Sequence, residues 1–332
     1  MKQTSGTAGT AATKATAGRR PPGPVTPPHF TEIISPNPGI DFLRWAPIAI
    51  AATWLFIFAG LASVWWHGGL NYGIDFAGGT LVQVRFTEPT SIGDVRSALS
   101  RPELKEVVVQ DVGGSGREFQ IRVLGGGDEA DMSNADSVKA GLRERFGEGS
   151  YDVLRIERVG PRVGKDLWRQ ATLAVLVATV MMGAYIAFRF DLRFGVGAAV
   201  ALIHDVLFTI AALSMAHMEF DLTTVAGLLT VVGFSVHDTV IISDRIRENL
   251  RKMRKESLAS IINLSVNETL SRTLITNGTA ITVTGALFLL GGSTIHSFAF
   301  TLLIGFIVGT YSSIYIASPV VLFMERRRRA AA

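Results

Sequence analysis

Long apolar runs alternate with polar breaks over most of this chain. A helix that crosses the hydrocarbon layer of a bilayer needs about 20 apolar residues. Six stretches meet that need: 46–66, 167–188, 194–216, 222–242, 274–290 with a polar N-terminal flank, and 298–324. The pattern therefore predicts six membrane spans. The gap between the first and second, residues 68–165, is long, and every other gap is short.

That long gap has a different rhythm. "TLVQVRF" alternates apolar and polar positions as a strand does. "SIGDVRSAL" opens with a Ser-x-x-Asp cap signal and reads as a helix. "EVVVQDV" and "EFQIRVL" flank "GGSG", a hairpin signal with a longer loop. "SNADSVKAGLRERFG" reads as a second helix stopped by Gly, and "YDVLRIERV" as a last strand. The order β-α-β-β-α-β is the ferredoxin-like pattern. The expected fold class is a polytopic α-helical membrane protein, a six-span bundle with a small α+β ferredoxin-like extracytoplasmic domain.

Charge orients the bundle. Cytoplasmic loops carry the excess of Lys and Arg. Arg44 precedes span one, and Arg189 and Arg193 lie between spans two and three. Arg245, Arg247, Arg251, Lys252, Arg254 and Lys255 follow span four, and Arg326 to Arg329 follow span six. With six spans all of these fall on one side, the cytoplasm, while the loops "HMEFD" and "GGSTIHS" fall outside and lack Lys and Arg. The expected organisation is a disordered cytoplasmic tail (1–38), a first span with its lead-in (39–67), the extracytoplasmic domain (68–165), spans two to six (166–325) and a basic cytoplasmic tail (326–332). The tail is rich in Thr, Ala, Gly and Pro and cannot bury enough apolar surface to offset its ordering entropy. Its start lacks the order of charged, apolar and cleavage regions of a signal peptide.

Composition fits a bilayer. The 332 residues are 48% hydrophobic and 18% charged, with a mean hydropathy of +0.33, too apolar for an ordinary soluble protein. The absence of cysteine excludes disulfides, thiolate nucleophiles and cysteine metal sites. A net charge of +4 could suit nucleic acid, but the basic residues sit at span ends, so no nucleic-acid partner is expected. "GVGAAV" lies inside a span, "GGGD" reads as a loop, and no Gly-Lys-Ser/Thr phosphate loop occurs. No His/Asp/Glu group has metal-ligand spacing. Nor is there a local Ser-His-Asp signature, although a dispersed triad stays open. Neither a catalytic group nor a cofactor or metal is expected.

The candidate chemistry is ionisable residues at membrane depth. An Asp at the centre of a span costs at least about 2.5–3.5 kcal/mol on insertion scales. Asp238 lies toward the inner end of span four, on a helical stripe with Thr224, Gly227, Val231 and Ser235. Small residues on that stripe admit a neighbouring helix, so it faces protein or water rather than lipid. Arg272 lies near the inner end of span five, with Thr276 and Thr279 on the same face. Spans four and five run antiparallel, so Arg272 and Asp238 can share a depth. Span three adds His204 and Asp205 near mid-bilayer. A carboxylate beside an Arg is held ionised and takes a proton when the Arg moves away, which couples titration to helix movement. The plainer reading is a buried ion pair that fixes helix register. For His204–Asp205 both readings stand. His237 reads as a space-filling or headgroup-facing residue, and Asp244, Arg245 and Arg247 as an interfacial clamp.

Several blocks together resemble the SecF branch of the SecD/SecF family of protein-export membrane subunits, within the resistance–nodulation–division superfamily. They are "GIDF" at 39–42, "YGIDFAGGTLVQVRF" at 72–86, "ALIHD" at 201–205, "GFSVHDTVIISDRIREN" at 233–249 and "SRTLITN" at 271–277. The similarity covers about 40–325. Phe234 stands where the family usually has Tyr, and His237 where it usually has Asn, which puts a titratable group beside Asp238. The resemblance implies a resistance–nodulation–division membrane fold, paired with SecD as two six-span bundles. It also implies use of the proton-motive force, or sodium in some relatives, to draw unfolded preproteins through the SecYEG translocon after the SecA motor. Asp238 and Arg272 match the family's proton-pathway positions, and His237, His204 and Asp205 stand beside them as candidates. Two other functions compete: an ion-coupled small-molecule exporter of the same superfamily, and a structural subunit that conducts no ions.

Overall fold

The computed structural model describes residues 38–330, apart from 105, 113 and 125–127. The expected disordered tail and most of the "GGGD" loop lie outside the described residues. Helix α1 (Phe42–Trp66) starts where the Asp41 side chain accepts from the backbone N–H of Arg44, which satisfies one of the free donors of a helix start. A short helix, α2 (Ile74–Ala77), leads into the head domain. Its elements are β1 (Gly79–Phe86), α3 (Ile92–Ala98), β2 (Val107–Asp111), β3 (Glu118–Leu124), α4 (Asp128–Phe146) and β4 (Tyr151–Val159). The strand order is β2-β3-β1-β4 with every neighbouring pair antiparallel. This is the ferredoxin-like arrangement expected from the sequence.

Alternation builds the head core. Val82, Val84 and Phe86 of β1 and Phe119, Ile121 and Val123 of β3 pack on Val95, Val138 and Leu142 of α3 and α4. The capping signal at Ser91 is realised: its hydroxyl accepts from Asp94 N and donates to the Asp94 carboxylate at 2.6 Å. Gly79 opens β1 at φ +136°, and a Cβ there would stand 2.4 Å from the Val123 carbonyl oxygen. A side chain is therefore excluded where the strand follows α2.

The remaining helices are α5 (Pro161–Arg189), α6 (Leu192–Met215), α7 (Leu222–Lys252), α8 (Leu258–Leu290) and α9 (His296–Ser312). A π-helical turn at Ser313–Ala317 joins α9 to α10 (Ser318–Ala330), and the three make one span. Among the described residues, six helices are long and apolar enough to cross a membrane. Three of them run well past the apolar stretches. Pro161 starts α5 at the position where its missing N–H is harmless. Ser257 caps α8, accepting from Ser260 N. The polar flank of span five stays helical because Leu258, Ile261, Ile262, Val266 and Leu270 recur at helical spacing and bury against Ile242 and Ile246 of α7.

Helices α6, α7 and the last span form the interior of the bundle, whereas α1, α5 and α8 are mostly exposed. The exposed positions of α5 include Leu173, Leu176, Val180 and Phe188, a face suited to hydrocarbon. Close packing of α7 on α9 depends on small residues. A Cβ on Gly305 would lie 2.0 Å from Cγ2 of Val231. We expect Gly305→Val to destabilise the bundle by at least about 1–3 kcal/mol, the usual cost of overpacking. A melting curve in detergent checks this, and an unchanged midpoint would mean that α7 and α9 do not meet there.

Candidate functional site

The stripe read on span four is the buried face of α7. Thr224, Gly227, Val231, Ser235 and Asp238 are all buried. They face α9, where Gly227 meets Thr301, Val231 meets Gly305 and Ser235 meets Gly309. The Gly305-x-x-x-Gly309 spacing is the matching small-residue signal.

Asp238 is 1% exposed. Its Oδ2 accepts from Asn277 Nδ2 at 2.5 Å, and the same amide nitrogen donates to the Thr310 hydroxyl. Thr310 in turn donates to the Phe306 carbonyl oxygen at 2.8 Å. Three side-chain oxygens of this region find no hydrogen-bond partner among the described residues: Asp238 Oδ1, Thr273 Oγ1 and Asn277 Oδ1. A primary amide both donates and accepts. In the orientation seen it serves the ionised carboxylate; turned over, its oxygen accepts the proton of the neutral acid. Asn277 can thus partner Asp238 in both protonation states.

The expected pairing of Asp238 with Arg272 is not what the structure has. Arg272 is exposed, and among the described residues it forms no ion pair. It lines an open cleft of about 670 Å³ at the end of the bundle away from the head, with Asp244, Arg245, Glu248 and Glu268. Shared depth was the argument for the pair, and the angle around the helix defeats it. Arg272 stands five positions before Asn277, which turns it roughly 140° away from the side that faces Asp238. Thr273 and Asn277, one turn apart, hold that inner side and are buried. Thr276 and Thr279 do share the Arg272 face, and both are exposed. The expected clamp forms only at Arg245, which bonds Glu268 and Glu248 at 2.6 Å each; Asp244 is exposed.

The span-three pair is deeper still. Asp205 is fully buried and His204 is 1% exposed, and His204 Nδ1 lies 3.1 Å from Asp205 Oδ1. Ser235 of α7 donates to Asp205 Oδ2 at 2.6 Å, and Ser312 of α9 donates to the same oxygen at 2.8 Å. One carboxylate thereby gathers α6, α7 and α9. Ser235 stands one turn before Asp238 on the same face, so the structure brings the two acidic candidates onto one polar line. His237 does not join it and is exposed. Asn277, Ser312 and Thr310 were missed by sequence reasoning, because which face of a helix meets which neighbour is set by packing.

Comparison with known proteins adds to this geometry. Residues 138–327 match the family model for the C-terminal part of the protein-export membrane proteins SecD and SecF, and residues 64–90 match the SecD/SecF GG motif. The chain belongs to the SecD/SecF family. Its relatives include protein translocase subunit SecF of Magnetococcus marinus, 47% identical, covering 88% of this chain and 94% of the relative. SecF of Desulfurispirillum indicum is 44% identical over 87% of this chain and 92% of that one. Among solved structures, SecDF of Thermus thermophilus, described as a translocon-associated membrane protein, superposes with a TM-score of 0.76 at 36% identity. It covers 89% of this chain, which spans 40% of the SecDF chain. A SecDF structure in a super-membrane-facing form gives a TM-score of 0.65 at 37% identity, over 90% of this chain and 40% of that chain. For this SecD/SecF-family chain the GG motif has a physical meaning: Gly78 and Gly79 both take positive φ where β1 begins.

Proposed function

We propose that this chain is the SecF-type subunit of an accessory complex of the Sec translocase. With a SecD subunit it uses the proton-motive force to promote the passage of unfolded preproteins through SecYEG. The observation that carries the ion-coupled part is a buried carboxylate, Asp238, with one oxygen free and an amide partner suited to either protonation state. Such a group at membrane depth is costly and is typical of ion pathways. The role is transport rather than enzymatic catalysis.

The outward face of α8 supports a bundle partner. Arg272, Thr276 and Thr279 make a polar stripe on an exposed side of a span, and hydrocarbon is a poor neighbour for it. A second six-span bundle of SecD type would cover that stripe and bring its own groups toward the Asp238 site. In this reading Arg272 belongs to the pathway through the partner and the cleft, not through direct contact with Asp238. The head domain is extracytoplasmic and both termini are cytoplasmic, as the basic span ends indicate.

Reconstitution tests the reading. Proteoliposomes carrying this chain with a SecD-type partner should show ion flux linked to preprotein export, and the chain alone should not. Flux with no effect on export would favour the small-molecule exporter, and export without flux the structural subunit. Asn277 gives a finer check. Asn277→Ala leaves Asp238 Oδ2 without its donor, at a cost of about 1–3 kcal/mol. The expected result is a lower melting point in detergent together with reduced flux, and normal flux would remove Asn277 from the site.

A further inference from the structure

The head domain and the membrane bundle meet at a buried charge. Arg122 lies on β3 with Leu81 of β1 as its register partner, on the sheet face opposite Ile121 and Val123, which fill the head core. Its side chain is 1% exposed, and Nη1 stands 2.8 Å from Glu219 Oε1. None of its nitrogens forms an aligned hydrogen bond among the described residues. A guanidinium so enclosed depends on its counter-charge, because desolvation of an unpaired ion costs several kcal/mol.

Glu219 sits in the loop that joins α6 to α7. Burial is the largest influence on its carboxyl and pushes it above the usual range. Arg122 of β3 pulls it back, while Asp221 at the cap of α7 and Asp75 of α2 push with burial. The loop is stitched to the root of the head: Gly73 N donates to Phe220 O at 2.9 Å, and Phe220 N to Asn71 O at 2.8 Å. Asp75 Oδ2 accepts from the N–H of Leu222, the first residue of α7, at 3.0 Å. These bonds hold the root. Among the described residues, Arg122–Glu219 is the ion pair that reaches from the sheet itself to the α6–α7 loop.

We propose that Glu219 is a positioning residue for ion-coupled export, its ion pair with Arg122 making the head sheet and the adjoining end of α7 move as one body. Displacement of the helix that carries Asp238 is then delivered to the head instead of being lost in the loop. The proposal rests on the reading of Asp238 as the coupling carboxylate.

The test uses the complete chain with its SecD-type partner in proteoliposomes. Glu219→Gln should leave ion flux near the wild-type level while export falls about tenfold, within the range of ordinary coupling energies. Export should return in the charge-reversed pair Arg122→Glu with Glu219→Arg, and in neither single change. The chain has no cysteine, so Arg122→Cys with Glu219→Cys can be joined by a short bismaleimide, and the joined protein should export. Normal export by Glu219→Gln, or loss of export on joining, overturns the proposal. So does a parallel fall of flux and export that charge reversal fails to mend, since that marks a folding or pathway defect. Asp238→Asn runs beside these variants. Normal export by that control removes the coupling reading, and the proposal with it; failure of the Glu219 variants alone leaves that reading standing.

Discussion

Asp238→Asn should insert, fold and assemble as the parent chain does and lose ion-driven export entirely. Insertion should be easier, because a carboxylate in a span costs at least about 2.5–3.5 kcal/mol and an amide less. Packing should hold, since Asn fills the same space on the α7 stripe and can present its own oxygen to Asn277 Nδ2. Only the titratable carboxylate is removed. Accumulation in the membrane, a melting curve and export driven by an imposed ion gradient are the three measurements. Normal accumulation with wild-type export would show that this carboxylate takes no part in coupling.

At Asp205 the size of the effect depends on the replacement. Asp205→Ala strips the shared acceptor from Ser235 and Ser312 and the partner from His204, all buried. Each buried hydrogen bond broken in this way costs about 1–3 kcal/mol; Ser235 loses its acceptor, while Ser312 keeps the Gly309 carbonyl oxygen at 3.2 Å. The expected result is a bundle that melts far below wild type or fails to accumulate. Asp205→Asn keeps one oxygen for the two serines and turns an N–H toward His204, whose neutral ring can accept it in the other tautomer. That variant should fold. Export then separates the two readings of the pair: a strong loss in the stable Asp205→Asn protein assigns titration to Asp205, and wild-type export makes it a lock on helix register.

Much of this was legible in the chain. The head order followed from alternation, one cap signal and a Gly stop, because a period of two and a period of 3.6 are local properties. The α7 stripe followed because Gly227, Val231, Ser235 and Asp238 repeat at helical spacing. The apolar runs marked the spans but not the helix ends, because an amphipathic segment precedes the run in α8 and follows it in α7, and hydropathy measures lipid contact and not helicity. The Asp238 partner was misjudged for a different reason. Depth along antiparallel helices can be counted from the sequence, but the angle at which each helix faces the other is set by packing. Arg122–Glu219 was invisible, because the docking of a sheet face on a loop leaves no trace in either segment alone.

The π-helical turn at Ser313–Ala317 bears on how the last span can respond to the site beside it. Ser312, which bonds Asp205, ends α9 immediately before the turn. Ser313 donates to the Gly309 carbonyl oxygen at 2.6 Å and Ser318 to the Ser313 carbonyl oxygen at 3.0 Å, so hydroxyls occupy acceptors there. An inserted residue acts as a phase step: it offsets everything beyond it by roughly 100° relative to an unbroken α-helix. Val321 of α10 meets the Gly197 position of α6 in that offset phase, while Gly305 and Gly309 meet α7 in the original one. The span thus has two halves with separate angular settings and a wide turn between them, adjacent to the serine that reads Asp205. A change of twist at the Asp205 end of the span would therefore meet this turn, seated on Gly197 through the Ala317 carbonyl oxygen, before it reached Val321 of α10.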